Sequence, residues 1–461
     1  MLQDTNVNVV VTPFSEPAKY PTQIIPKPLR ICVLGLGYIG LPTAALFAES
    51  GCTVVGVDVN ATLVKHLNAS TAKIVEPGLA QKVARAKSEK RFLATMRPEP
   101  SDAFVISVPT PLNAEKTADL SFVHRAALAV APILAPGNLV ILESTVPVGT
   151  TQQVSKWLSL ARPDLNFPHQ AGDDADIGIA YCPERVIPGQ ALQELQSNDR
   201  IIGGLSERAT KDAVSLFRRF VKGACLGTDA RTAEMCKLVE NSSRDVQIAF
   251  ANELSILCDQ AEVDVRQVIE LANRHPRVNI LQPGPGVGGH CIAIDPWFLA
   301  QSNPSEATLI RAARQRNLDK SEWVMNKIEN HPSLAVPTPL AQTRMRRRVA
   351  CLGLSFKPDI DDLRESPALK IARALADRGI QILAVEPNID KLPCHLDHPL
   401  IRLCDLESAV EDCDLICGLV AHTEFRKHQE LIATRTPVLD FAGLFRKPPD
   451  NLPSRNVAAT G

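Results

Sequence analysis

The chain lacks a dominant charge of either sign. Its 50 lysines and arginines are balanced by 51 aspartates and glutamates, leaving a formal net charge of -1. A field of that size does not point to nucleic acid or to an anionic membrane surface. It leaves open a local basic pocket for a small anionic ligand. Long apolar runs are missing too: none approaches the ~20 residues that span a bilayer. The first residues do not show the basic, apolar, small-residue order of a signal peptide. Twelve cysteines are present, but no two stand as a CxxC pair. They read as reduced thiols, with no metal site expected. Together these absences point to the cytoplasm and exclude a membrane protein, a disulfide scaffold and a zinc module.

What is present is an ordinary globular composition, 45% apolar and 22% charged, over 461 residues. That length suits two or three domains. Residues 1–28 are proline-containing and aperiodic, and read as a loose arm. Arg30-Ile-Cys-Val-Leu then reads as a buried strand running into Gly35-Leu-Gly37-Tyr38-Ile39-Gly40. A helix from Leu41 to Ser50 and a strand from Cys52 to Val57 follow, ending at Asp58. In such a unit the first glycine makes the turn, the second admits a pyrophosphate and the third lets helix pack on strand. The helix N-terminus faces the phosphates, and Asp58 suits the ribose hydroxyls of NAD rather than NADP. The plain alternative is a glycine turn that binds no dinucleotide. Further strands are expected at 103–108, 139–142 and 177–181, each ending in turn formers. Ligands of open α/β sheets lie beyond the carboxyl ends of the strands, which gathers Thr110, Thr145 and Glu184 at one edge. Each could equally cap a helix, the more ordinary role for Thr110.

From Thr232 to Val263 proline and glycine disappear, and Met235, Val239, Val246, Phe250, Leu254 and Leu257 recur at helical spacing. Such a helix would be about 45 Å long, enough to join two domains and supply a dimer face. Lys237 and Asn241 share one face, about 200° from Val239, where a solvated lysine would be ordinary. Next comes Pro283-Gly-Pro-Gly-Val-Gly288-Gly289-His-Cys291-Ile-Ala-Ile-Asp295-Pro296. It is either a turn containing a small residue or a loop presenting a reactive thiol. A second helix is expected at 305–329, then a linker containing Pro332, Pro337 and Pro339. The basic run from Arg344 to Arg348 reads as a solvated strand entrance. A second α/β unit follows: strand at 349–353, helix at 369–377, and strands at 380–385, 414–420 and 438–440. The expectation is an α/β chain of two Rossmann-like domains with parallel sheets, joined by a long central helix. The divisions are 1–28, 29–228, 229–330 and 331–461, the last suited to the nucleotide of a substrate.

This order of units and five separate motifs resemble the UDP-glucose/GDP-mannose dehydrogenase family from residue 30 to about 446. The motifs are Tyr181-Cys-Pro-Glu-Arg-Val-Ile-Pro-Gly189, Arg231-Thr-Ala-Glu-Met-Cys-Lys-Leu238, Asn273-Arg-His-Pro-Arg-Val-Asn-Ile280, the cysteine loop through Trp297, and Phe356-Lys-Pro-Asp-Ile-Asp-Asp-Leu-Arg-Glu-Ser-Pro367. The resemblance implies oxidation of a sugar C6 alcohol to a carboxylate with two NAD+. Cys291 would be the nucleophile that captures the aldehyde. Lys237, with Asn241, would stabilise the oxyanion, and Asp295 would orient water. Glu184 and Thr145 would serve hydrolysis and proton movement. It places the cofactor on Gly35, Gly37, Tyr38, Ile39, Gly40, Asp58, Thr110, Thr145 and Arg364. The substrate falls to Glu184, Arg185, Lys237, Asn241, Arg277, Gly288, Gly289 and Lys357, with Arg274 able to exchange roles with Arg277. Many UDP-glucose enzymes carry lysine where Ile294 stands. That departure favours a UDP-N-acetylhexosamine substrate, UDP-N-acetyl-D-mannosamine first, with UDP-N-acetylglucosamine and UDP-glucose as alternatives. A non-catalytic nucleotide-sugar-binding protein is the remaining alternative. A homodimer through the central helix is expected, with no nucleic acid or membrane partner.

Overall fold

The computed structural model describes residues 29–445 apart from 73, 75, 188, 335–346, 394, 395 and 436. The expected N-terminal arm, Pro337, Pro339 and the first residues of the basic run lie outside the described residues. The chain forms two compact units. One comprises the chain up to Glu240 with Trp297–Ser302, the other Asn241–Pro296 with the chain from Asn303.

Among the described residues the first unit is built on eight strands. These are β1 (Arg30–Leu34), β2 (Thr53–Val57), β3 (Phe92–Thr95), β4 (Ala103–Ile106), β5 (Leu139–Leu142), β6 (Gly178–Tyr181), β7 (Arg200–Gly204) and β8 (Cys225–Asp229). Their order is β3-β2-β1-β4-β5-β6-β7-β8. Alternate side chains of a strand face opposite ways, and both faces of this sheet are covered. Ile31, Val33, Val54, Val105 and Ile141 enter one core, while Cys32, Leu34, Val55, Phe104 and Val140 enter the other. That is why these strands are nearly unbroken apolar runs instead of alternating ones. Pairing is parallel except at β6–β7, where Ala180 opposes Gly204 and Tyr181 opposes Gly203. The order reverses at β1, with β2 on one side and β4 on the other. A doubly wound sheet opens its ligand crevice at such a place.

The second unit carries β9 (Arg348–Leu352), β10 (Gln381–Val385), β11 (Ile401–Leu403), β12 (Leu415–Gly418) and β13 (Val438–Asp440). They form an all-parallel sheet in the order β11-β10-β9-β12-β13. The expected α/β architecture with parallel sheets is therefore present. The strands foreseen agree to within a few residues. β3, β7, β8 and β11 were not foreseen: they are short, carry glycine, or lose the apolar run at one end.

The long helix spans Ala230–Gln260, close to the expected 232–263, but its faces are reversed. Ala233, Leu238, Ser242, Asp245, Ala249, Asn252, Ser255 and Cys258 are buried. Of the expected apolar stripe, Met235, Val239, Phe250 (56%) and Leu257 (54%) are exposed, while Val246 and Leu254 are half-buried. Apart from Leu238 and Lys237, the buried side consists mostly of small or short polar residues, which let this helix pack closely.

Candidate active site

In the first unit, the turn after β1 is set by backbone geometry. Gly35 has φ +93°, and a Cβ there would stand 2.2 Å from the Ser107 carbonyl oxygen. Gly35 N–H donates to Val57 O at 2.8 Å, and Leu36 N–H donates to Asp58 Oδ2 at 3.0 Å. Asp58 Oδ1 accepts from Asn60 N–H at 2.8 Å, so the acid at the end of β2 braces the glycine turn. Among the described residues beyond its chain neighbours, no atom would meet a Cβ added at Gly37 within 4 Å, which leaves space there for a pyrophosphate. Gly40 opens the helix Gly40–Glu49 with its N–H groups uncapped by any side chain. An anion fits there. The residues present fit an NAD molecule, and Tyr38 and Ile39 occupy the turn between Gly37 and Gly40.

At the neighbouring strand ends, Ser144 Oγ donates to Val108 O at 2.7 Å and accepts from Val108 N–H at 2.9 Å. Thr110 Oγ1 donates to Thr145 O at 2.7 Å. Thr110 is thus a brace between two loops and not the helix cap that was its ordinary reading. The sequence singles out neither Ser144 nor Glu143, which is wholly buried. Burial pushes the Glu143 carboxyl up, opposed by the Arg200 guanidinium 3.5 Å away. A carboxylate ending an apolar strand run was the available signal for both.

Lys237 is the main correction to the residue reading. It is only 4% exposed, because the reversed helix turns this face inward. Its Nζ lies 3.8 Å from Glu184 Oε2, and Glu184 Oε1 accepts from Val186 N–H at 2.6 Å. Arg185 forms an ion pair with Glu240 at 2.8 Å and donates to the Asp199 carbonyl at 2.8 Å. Its fork therefore anchors this loop.

In the second unit, the backbone around Cys291 is tightly turned. Cys291 O accepts from Ile294 N–H at 3.0 Å and Asp295 N–H at 2.9 Å, at the start of the helix Asp295–Ser302. The Cys291 side of the turn is exposed, while Asp295 is 2% exposed. Asn241 Nδ2 donates to Asp295 Oδ2 at 2.6 Å. The glycines before the cysteine are pressed by the chain itself: a Cβ on Gly288 would stand 2.7 Å from Glu365 O and 2.9 Å from Phe356 Cβ. Gly289 N–H donates to Arg364 O at 3.3 Å. The cysteine loop and the Phe356–Pro367 motif are thus joined, which sequence spacing could not reveal. Arg364 forks onto Asp362 at 2.6 Å. The Lys357 carbonyl accepts from Ser355 Oγ at 2.8 Å, and Arg277 is exposed. Among the described residues no cluster could hold a metal ion, and no helix is long and apolar enough to cross a membrane.

A dinucleotide turn with its acid, on a chain that also carries a presented cysteine, defines a nicotinamide-dependent dehydrogenase. The three parts of one family match in order: the NAD binding domain at 29–221, the central domain at 231–319 and the UDP binding domain at 350–447. The chain belongs to the UDP-glucose/GDP-mannose dehydrogenase family. It is 52% identical over 399 residues to the UDP-N-acetyl-D-mannosamine dehydrogenase of Campylobacter jejuni, covering 86% of this chain and 96% of that one. It is 50% identical over 417 residues to an NDP-N-acetyl-D-galactosaminuronic acid dehydrogenase of Ralstonia nicotianae, covering 90% and 96%. Among solved structures, a UDP-D-ManNAc dehydrogenase from Pyrococcus horikoshii matches with a TM-score of 0.78 at 37% identity, covering 92% and 97%.

Proposed function

We propose that the protein oxidises C6 of UDP-N-acetyl-D-mannosamine to the carboxylate, consuming two NAD+ and one water. The observation that carries this reading is Lys237, buried beside Glu184. Burying a lysine is costly unless it is paired or used, and a fixed cation there suits an oxyanion. Residues 29–228 take the cofactor, 229–330 supply the cysteine loop, and 331–461 take the UDP. Gly35, Gly37, Tyr38, Ile39, Gly40 and Asp58 hold NAD, with Thr110, Thr145 and Arg364 as further contacts.

NAD supplies the hydride acceptor for both oxidations. Cys291 Sγ adds to the C6 aldehyde, forming a C–S bond and a thiohemiacetal whose oxyanion Lys237 and Asn241 stabilise. Loss of the second hydride leaves a thioester on Cys291. Water, oriented by Asp295 with Glu184 and Thr145 moving the proton, cleaves the C–S bond and frees the uronate and the thiolate. Arg185, Arg277, Gly288, Gly289 and Lys357 complete the substrate contacts; cationic side chains there suit a diphosphate. The reaction takes place in the cytoplasm, in a homodimer formed through the long helix. In support of that assembly, Met235, Val239, Phe250 and Leu257 stand exposed along one edge of it.

The close match to the Ralstonia galactosaminuronic acid enzyme favours a second reading, a UDP-N-acetylgalactosamine substrate. The test is turnover with the UDP sugars of N-acetylmannosamine, N-acetylglucosamine, N-acetylgalactosamine and glucose, counting NADH per sugar. About two NADH on the mannosamine sugar, with weak turnover of the others, is the expected result; a yield of one, or preference for another sugar, overturns it.

A further inference from the structure

Within the second unit, the Asn241–Gln260 part of the long helix and the helix Thr308–Glu329 enclose a chain of buried polar groups that the chemistry above does not use. Arg314 Nη1 donates to Asp245 Oδ1 at 2.6 Å and to the Ile292 carbonyl at 3.1 Å. Asn317 Nδ2 donates to the same Asp245 oxygen at 2.8 Å. Asn252 Nδ2 donates to Asn317 Oδ1 at 2.9 Å, and Asn252 Oδ1 accepts from Gly284 N–H at 2.9 Å. Ser321 Oγ donates to the Pro285 carbonyl at 2.8 Å. Arg314 and Asn317 are each 1% exposed, and Asp245 and Asn252 are fully buried.

An ion pair buried this deeply is weak evidence for stability, since apolar residues of the same volume often serve as well. Among the described residues Asp245 Oδ2 and Arg314 Nε find no hydrogen-bond partner, which adds a desolvation cost to the pair. What distinguishes the chain is where it ends. Gly284 N–H, Pro285 C=O and Ile292 C=O, backbone groups on both sides of Cys291, all terminate on side chains of these two helices. The Ile292 carbonyl belongs to the residue immediately after the cysteine, inside the turn that Cys291 O closes with Ile294 and Asp295.

We propose that Arg314 is a positioning residue which, with Asp245 behind it and Asn252, Asn317 and Ser321 at the loop's leading edge, fixes the Cys291 backbone for attack on the aldehyde. The inference rests on Cys291 being the nucleophile. A loop displaced by about 1 Å can cost on the order of 100-fold in rate, so rigid support at both ends matters more here than net stability.

The test uses the full-length enzyme. Arg314→Lys keeps the charge but loses the fixed, planar guanidinium whose Nη1 reaches both Asp245 and the Ile292 carbonyl. Ser321→Ala deletes one loop bond from a helix that alanine suits. Uronate formation is expected to fall by about 100-fold in Arg314→Lys and by a smaller factor in Ser321→Ala, with KM for NAD+ changed by less than about twofold. Amide hydrogen exchange is expected to quicken in peptides covering 284–294 and to stay unchanged in β9–β13. Unchanged exchange at 284–294 in both variants overturns the proposal. So does an equal rise through β9–β13, which would mark a purely structural pair. If Arg314→Lys does not fold, Ser321→Ala decides alone. Exchange needs no turnover, so a protein that oxidises no UDP sugar defeats the functional reading while the loop test still reads out.

Discussion

Cys291, Lys237 and Asp58 show three ways in which a single residue takes on a task. At Cys291 the backbone carbonyl is held by two N–H groups while the residue stays exposed. Cys291→Ser preserves that turn but offers a far poorer nucleophile. It should form no uronate, as chromatography of the product would show; undiminished uronate would refute the thioester route. Lys237→Met keeps the length of the side chain and removes its charge. A loss of about 10²–10³ in kcat is expected, with KM for NAD+ little changed, measured by steady-state kinetics. Asp58 both braces Leu36 N–H and retains acceptor capacity toward a ribose. Asp58→Ala should therefore raise KM for NAD+ well before it affects thermal unfolding. The glycine turn and Asp58 were readable because they act through local backbone geometry at fixed spacing. Lys237 was not, because its burial depends on which face of a helix finds partners, and spacing alone does not say.

At the level of the element, the long helix carries that lesson further. Its extent was legible from periodicity and from the missing proline and glycine. Its orientation was not, because the buried side is made of Ala233, Ser242, Asn252 and Ser255, which no hydrophobic pattern marks. Phe250→Glu places a charge in the exposed stripe; for the homodimer proposed above, light scattering should then show a monomer for the variant and a dimer for the parent chain. The helix Thr308–Glu329 packs a buried lysine against the same partner: Lys320 Nζ donates to Ser255 Oγ at 2.8 Å. Burial lowers its pKa to about 7, although the Trp323 ring 3.7 Å away favours the cation. In the unfolded chain a lysine titrates near 10.4, so between these values the unfolded state binds more protons and stability rises with pH. The penalty is fully present below about pH 7 and gone above about pH 10.4. Lys320→Met should raise the urea midpoint at pH 7 and lose that advantage near pH 10. An equal gain at both pH values would show that Lys320 is not titrating there.

Across the whole molecule, the two sheets begin alike. Gly35 N–H donates to Val57 O at 2.8 Å and Gly353 N–H to Val385 O at 2.9 Å, with φ +93° and +90°. Leu354 N–H then meets Glu386 Oε2 at 2.8 Å as Leu36 meets Asp58. This repetition was legible despite the degraded second glycine pattern, because strand, glycine turn, helix and strand kept their order; the acid Glu386 was not singled out. What differs is invisible in spacing: Glu386 also takes Ser355 N–H at 3.0 Å and His422 Nε2 at 3.0 Å. The acid of the second crevice is occupied by the protein. Glu386→Ala should therefore lower the melting temperature, where Asp58→Ala mainly weakens cofactor binding. The reversed long helix has a consequence of another kind. In the proposed homodimer the exposed Met235, Val239, Phe250 and Leu257 would be covered by a second copy, and that share of the stability grows with concentration by mass action. Its melting temperature should climb with protein concentration, and dilution alone, with no denaturant and no mutation, should bring it down.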